Sequence, residues 1–217
     1  MVAILDNQFR FPDPRTANAD GLVAVGGDLS VPRLLAAYRA GIFPWTVRPV
    51  SWWSPNPRGI FELDRFHVSR SLERVIRKNL FEVTRDTDFR KVMEACAAPR
   101  AARDGTWISK TFIEAYCRLH AEGHAHSIEC RREGRLVGGV YGVAIGGLFA
   151  GESMFHRESN ASKVALFHLV EHLRARGFVL FDIQMLTPIT EQLGGVAIPR
   201  EEYLRRLQSA LAVTASF

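Results

Sequence analysis

Two short stretches hold side chains whose types and spacing can do chemistry. In "GESMF", residues 151–155, the carboxylate of Glu152 follows a glycine at the end of an apolar run. Gly151 has no Cβ, so it permits a close approach to the backbone. In "FVLFDIQM", residues 178–185, period-two alternation puts Asp182 and Gln184 on one strand face and Phe181 and Ile183 on the other. A carboxylate and an amide on so apolar a strand must be hydrogen-bonded. They are either a structural pair satisfied by nearby loops or a positioned acid–amide pair where a strand end opens into a crevice. Between the two stretches, "NASK" reads as a helix start, with Asn160 or Ser162 as cap and free N–H groups able to face an anion or an oxyanion.

Other chemistries lack their signatures. His120, His124 and His126 lie close together and His168 and His172 are four apart, but no HExxH occurs and neither group offers a third ligand. Cys96, Cys117 and Cys130 form no CxxC pair, which argues against a disulfide framework or a thiolate zinc site. No Gly-x-Ser-x-Gly elbow or phosphate-binding loop is present. We therefore expect a protein with no metal and no cofactor.

The elements that must position these residues fall into two textures. Residues 1–62 are rich in Pro, Gly and Trp, with one clear helix: Ser30 caps it, Pro32 sits in its first turn and Gly41 ends it. A proline- and tryptophan-dense loop follows, carrying Trp45, Trp52 and Trp53. Such aromatics serve either as satellite core or as stacking platforms for bases. Residues 63–217 alternate strands and helices. Helices are expected near 69–79, 88–98, 110–123, 160–176 and 200–211, strands near 80–86 and 178–185, and three antiparallel strands in 125–153 turning at 132–134 and 146–147. A mixed α/β sheet flanked by helices follows from strands joined by a crossing helix.

The 217 residues carry a net charge of +5, supplied almost wholly by arginine. That sign suits a phosphate-bearing partner. Arg70, Arg74, Arg77 and Lys78 recur at helical spacing opposite Leu72, Val75 and Ile76, either as a solvated helix face or as a phosphate-backbone contact. No apolar stretch reaches the ~20 residues of a spanning helix. The opening residues lack a signal peptide's charged region and longer apolar core, so a cytoplasmic location is expected.

The ordered set "DGLVAVGGDLS", "LLAAYRAGIFPW", "WWSPNPR", "HVSRSL", "GTWIS", "AYCRLHAEGHAHSIE", "LVGGVYGVAIG", "GESMF", "NASK" and "FDIQ" resembles the bacterial leucyl/phenylalanyl-tRNA–protein transferase family over about residues 11–207. The resemblance implies a small N-terminal domain, a second domain of GNAT-like acyltransferase fold and a monomer. It implies transfer of Leu or Phe, and Met weakly, from aminoacyl-tRNA to the N-terminal amine of proteins beginning with Arg or Lys, creating a degradation signal.

Carried over position by position, the resemblance makes Asp182 and Gln184 a relay in which Asp182 accepts from the Gln184 amide, whose oxygen then faces the incoming amine. Glu152 orients the aminoacyl group or amine. Phe149, Gly151, Met154 and Leu169 line the aminoacyl pocket, and Trp45 and Trp107 hold the terminal adenosine. Departures fall after "DIQ": Ile189 stands where the family has a histidine, Gln192 and Gly195 replace a serine and an alanine, and Ile183 replaces a cysteine. These touch the acceptor side more than the donor side. A CoA-dependent N-acyltransferase would need a glycine-bearing pyrophosphate turn, which "RESNAS" lacks. A non-catalytic tRNA-binding module would need the tryptophans and the cationic stripe but not Glu152, Asp182 or Gln184.

Overall fold

The computed structural model describes residues 2–6, 8–101 and 107–217. Near the N-terminus four strands, β1 (Ala3–Leu5), β2 (Leu22–Gly26), β3 (Phe43–Val47) and β4 (Val50–Trp53), form a sheet in the order β1-β2-β4-β3. Helix α1 (Val31–Arg39) starts at N-cap Ser30, with Pro32 in its first turn and Gly41 just beyond its end at φ +76°, as the sequence indicates, although the Ser30 side chain makes no cap bond. The segment expected as a proline- and tryptophan-dense loop is instead the β3–β4 hairpin. Alternation along β4 decides the fate of its tryptophans. Trp52 points inward, is fully buried, donates its indole N–H to the Gly26 carbonyl at 2.9 Å and meets Phe11 edge-on. Trp53 points the other way and packs edge-on against Trp45 at 5.4 Å.

The larger sheet has seven strands in the order β11-β5-β10-β9-β8-β7-β6. They are β5 (Arg58–Phe61), β6 (Glu82–Arg85), β7 (Ala125–Arg132), β8 (Arg135–Ile145), β9 (Leu148–His156), β10 (Leu180–Gln184) and β11 (Gly195–Ile198). Strands β7, β8 and β9 are the expected antiparallel meander, with Gly134 and Gly146 at positive φ in its turns. Strands β9 and β10 pair in parallel, and helix α5 (Ala161–Ala175) makes the connection a parallel pair requires. The chain passes from one sheet to the other within residues 54–57. Strand β5 pairs with both β10 and β11, so it belongs to the larger sheet although the sequence reading grouped it with residues 1–62.

Helices cover both faces of this sheet. On one side α5 and α2 (Arg70–Arg77) pack on Val137, Val140, Phe149 and Phe181, with Leu169 and Leu173 of α5 fully buried. Each such leucine contributes about 1.5–3 kcal/mol. On the other side α3 (Phe89–Ala101) and α4 (Lys110–Ala121) pack on Tyr141, Val143 and Ala150, in a core that continues into α1, β2 and β4. The two sheets thus share apolar packing. Helix α7 (Arg200–Leu211) seals Ile60, Leu148 and Leu180 through Tyr203, Leu204 and Leu207. A short helix, α6 (Pro188–Gln192), closed by reciprocal bonds between Thr187 and Thr190, bridges β10 to β11. Its five residues give too little periodicity to be seen in the sequence.

Candidate active site

Parallel pairing between β9 and β10 ends at Ala150 and Asp182. Glu152 and Gln184 lie just past that point, where separating strands leave a crevice. On its other side β10 carries a bulge between Asp182 and Gln184 against β5, which puts Ile183 out of register and re-aims Gln184. Gln184 takes a left-handed backbone conformation, φ +63°, that a non-glycine residue holds only when its surroundings enforce it. Opposite it, Gly59 has no room for a Cβ, which would fall 2.9 Å from the Met185 carbonyl carbon.

The Asp182 carboxylate is fully buried and fully engaged. Arg58 forks onto it, Nε to Oδ1 at 2.9 Å and Nη2 to Oδ2 at 2.7 Å, and the Tyr203 hydroxyl donates to Oδ2 at 2.9 Å. Oδ1 also accepts the backbone N–H of Gln184 at 2.9 Å. Arg58 is itself buried; desolvation opposes its charge, but the Asp182 carboxylate outweighs that and raises the guanidinium above its ordinary value. The sequence reading had Asp182 accepting from the Gln184 side-chain amide. The structure corrects this: Asp182 holds the Gln184 backbone, and the side-chain NH₂ donates instead to Glu152 Oε1 at 2.7 Å. Because Gln184 lies beyond the bulge, its side chain leaves the face that Asp182 occupies.

Glu152 is the meeting point. Besides Gln184 it accepts from the Tyr38 hydroxyl at 2.8 Å; the Tyr116 hydroxyl lies 3.4 Å from its other oxygen, and because the two tyrosine hydroxyls also bond to each other, their two protons are shared among three contacts. Desolvation raises the Glu152 carboxyl to about 7; the Tyr38 and Tyr116 hydrogen bonds and the Arg58 charge pull against that rise, while the Asp182 charge adds to it. Burial also lifts both phenols well above 10, so each remains a hydrogen-bond donor at neutral pH. A carboxyl tuned to neutrality, held by the Gln184 amide and the paired tyrosine hydroxyls and lining open cavities, is suited to moving or stabilising charge there.

Two cavities meet at this carboxyl. One, about 310 Å³, is lined by Phe43, Pro44, Trp45, Trp107, Glu152, Ile183, Gln184, Met185 and Thr187. It gathers residues separated by 62 positions between Trp45 and Trp107 and shows both indoles facing one space with Glu152 and Gln184. The other, about 320 Å³, is predominantly apolar. Gly151 and Met154 line it with Phe61, Val140, Leu166 and Phe181, while Met185, Ile189 and Thr190 stand at its wall. Glu152, Ile183, Met185 and Thr187 are common to both cavities.

Phe149 and Leu169 do not line either cavity: both are buried in the core behind, Phe149 meeting the cavity residue Phe181 edge-on at 5.5 Å. Both lie on the cavity's own α5 face but deeper in the core: Phe149 is two residues before Gly151 along β9, and Leu169 is one turn beyond the cavity residue Leu166 along α5. The room that Gly151 leaves is taken by Phe181, whose Cε2 would lie 2.9 Å from an added Cβ.

Arg58, Tyr38, Tyr116 and Tyr203 were missed in the sequence. Tyr38 and Tyr116 sit at interior positions of amphipathic helices, where an aromatic reads as core, and nothing in "NPRGI" marks Arg58 as buried or carboxylate-bound. Asn160 also departs from expectation: it precedes α5 with φ +68° and makes no side-chain cap bond. The stripe Arg70, Arg74, Arg77 and Lys78 is exposed along α2, with Ser69 capping the helix and Glu73 3.4 Å from Arg77. Among the described residues no group of three side chains could hold a metal ion, and no helix is long and apolar enough to cross a membrane. The first two residues of the "GTWIS" motif, 105 and 106, lie outside the described residues.

Comparison with known proteins bears on the whole chain. The family model for leucyl/phenylalanyl-tRNA protein transferase matches residues 60–208, and that for its N-terminal domain matches residues 27–56. A leucyl/phenylalanyl-tRNA–protein transferase of Pseudomonas entomophila is 54% identical over 190 residues, covering 87% of this chain and 84% of its own. One of Solidesulfovibrio magneticus is 55% identical over 203 residues, covering 92% and 82%. Among solved structures, L-PGS from Bacillus licheniformis superposes with a TM-score of 0.46 at 13% identity, over 74% of this chain and 54% of that one. From the two family-model matches and the identity shared with these relatives, the chain belongs to the leucyl/phenylalanyl-tRNA–protein transferase family of aminoacyltransferases.

Proposed function

We propose that the protein transfers Leu or Phe, and Met weakly, from aminoacyl-tRNA to the N-terminal amine of proteins beginning with Arg or Lys, marking them for degradation. The observation that carries this reading is the junction of an indole-lined cavity and an apolar cavity at Glu152, beside Gln184. The terminal adenosine stacks at Trp45 and Trp107, the aminoacyl side chain enters the apolar cavity past Met154, and the ester carbonyl lies between them at the Glu152–Gln184 pair.

The reaction is aminolysis. A neutral amine attacks the ester carbonyl, the C–O bond to the ribose breaks, the amide bond forms, and the proton given up by the amine ends on the ribose hydroxyl. The ester is already activated, so alignment of two substrates supplies much of the rate. With its NH₂ held on Glu152, Gln184 has its amide oxygen free to accept from the attacking amine and align it. An amide is not basic, so the Glu152 carboxylate, near neutrality, is the group able to hold the proton between amine and ribose. Tyr38 and Tyr116, kept protonated by burial, steady that carboxylate in either state. Asp182 acts on the backbone behind Gln184.

A transfer assay with Leu-, Phe- and Met-charged tRNA and a panel of peptides differing in their first residue tests the reading. Selective product on Arg and Lys peptides is the expected result. Product only on acidic N-termini would show that the Ile189 region has re-specified the acceptor. Acetylation from acetyl-CoA without aminoacyl transfer would replace the reading with an acyl-CoA enzyme.

A further inference from the structure

Helix α7 reaches the site through one side chain. Tyr203 is fully buried, its ring lies 4.3 Å from the Arg58 guanidinium carbon, and its hydroxyl ends on Asp182. Gly41 makes that approach possible: a Cβ there would fall 3.0 Å from Tyr203 Cε1 and 2.8 Å from Leu204 Cδ2. Arg58 is fixed from the α1 side as well, donating to the Gly41 carbonyl at 3.1 Å and lying 4.9 Å from the Phe43 ring. Neither Arg58 nor Tyr203 lines either cavity. What they fix is the Asp182 carboxylate, and what Asp182 fixes is the backbone N–H of Gln184 in its left-handed conformation.

We propose that Arg58 and Tyr203 are positioning residues for the transfer reaction, locking the Asp182 carboxylate so that it pins the Gln184 backbone and aims the Gln184 amide at Glu152. The chain of contacts supports action at a distance from the substrates. Removing the Tyr203 hydroxyl leaves Oδ2 with one donor instead of two, so the carboxylate, held only by the Arg58 fork, can tilt about its Cβ–Cγ bond. Oδ1 then no longer faces the Gln184 N–H squarely, and a left-handed non-glycine residue without that support relaxes towards commoner backbone angles. The amide consequently leaves Glu152, while the apolar cavity, which Gln184 does not line, and the Trp45 and Trp107 walls of the other stay in place. This inference rests on placing the reaction at the Glu152–Gln184 pair.

Tyr203→Phe retains the ring against Arg58 and Gly41 and removes only the hydroxyl. It is expected to lower kcat for Leu transfer about ten-fold, the scale of one hydrogen bond to a charged group, with KM for charged tRNA unchanged. In a Gln184→Ala background the same substitution should have no further effect on kcat, because the group it positions is gone. The Gln184 backbone amide resonance in an ¹⁵N-labelled sample should shift in Tyr203→Phe, and by more in Arg58→Lys, which cannot fork onto the carboxylate. Wild-type kcat in folded Tyr203→Phe, an equal loss in both backgrounds, or an unmoved Gln184 amide would each overturn the proposal. Absence of Leu transfer by the unmodified protein would instead sink the assignment of the reaction, and the amide resonance would still judge the positioning.

Discussion

Glu152 sets a pH window. Its carboxylate form accepts from Gln184 and Tyr38, and that form fills as pH climbs through about 7. A free α-amine ordinarily titrates near ~7.7–8.0, so kcat/KM of the unmodified protein should rise in two steps. Glu152→Gln should remove the lower step, keep the upper one and slow transfer by roughly 10²-fold. A pH–rate profile checks this, and a lower step surviving in Glu152→Gln would assign it to another group. Stability carries the opposite sign. The folded carboxyl lies above its ordinary 4.5, so ionisation opposes folding: the cost is nil at low pH, grows as pH rises from 4.5 to about 7 and is constant above that. Glu152→Gln should therefore gain about 1–3 kcal/mol on the unmodified protein between pH 5 and pH 8, read by denaturant titration at both.

Asp182 and Gln184 should also separate. Gln184→Ala is expected to lower turnover at least ~100-fold with the fold kept, as for loss of one positioned group. Asp182→Asn should lose stability as well, by about 3–5 kcal/mol, because it leaves the buried Arg58 charge uncompensated. Equal melting temperatures for the two variants would refute that difference.

Among the elements, α2 offers the clearest test of nucleic-acid contact. Its cations stand on a face turned from the core, and Glu73 already engages Arg77. Arg70→Glu and Arg74→Glu are therefore the more informative reversals. If the face meets phosphates, each should weaken binding of whole tRNA and flatten its salt dependence by ~1 unit of slope. Aminoacyl-adenosine, too short to reach α2, should react as before. Equal losses with both donors would mark the stripe as a solvated helix face.

Donor choice belongs to the whole molecule, because walls from β5, β8, β9, α5, β10 and α6 enclose the apolar cavity. Leu and Phe lack a branch at Cβ, whereas Val and Ile carry one, which should fit less well where the side chain enters past Gly151. A methylene in such a pocket is worth only ~1–3 kcal/mol, so preference should be graded, with Met used weakly. Met154→Ala, which enlarges the cavity at a half-buried residue on the edge of the core, should cut Leu transfer more than Phe transfer, because the smaller side chain leaves a void. Transfer rates of Leu, Phe, Met, Val and Ile to an Arg-initiated peptide measure this, and efficient Val or Ile transfer would refute the pocket assignment. Phe149→Ala is the wrong probe: that ring is buried core, and its loss should cost about 3–5 kcal/mol of stability.

The sequence by itself determined what local periodicity and turn chemistry encode. The β7–β8–β9 meander follows from alternation and glycine turns, α5 and α7 from their apolar spacing, and the presence of Asp182 and Gln184 together on one buried strand from its apolar run. Glu152 stood out because a carboxylate ending an apolar run needs a reason. Tertiary structure decided the rest. The β3–β4 hairpin hid in a segment whose prolines and tryptophans suggest a loop, because strand pairing is a non-local contact that residue types only weakly announce. The bulge at Ile183 turned Gln184 from Asp182 to Glu152, and no single-strand pattern encodes a bulge whose cause is the partner strand β5. Tyr38, Arg58, Tyr116 and Tyr203 come from four elements and converge only after the sheets have packed. Burial by that packing is what raises the Glu152 carboxyl to about 7, since desolvation belongs to the assembled interior and not to any stretch of chain.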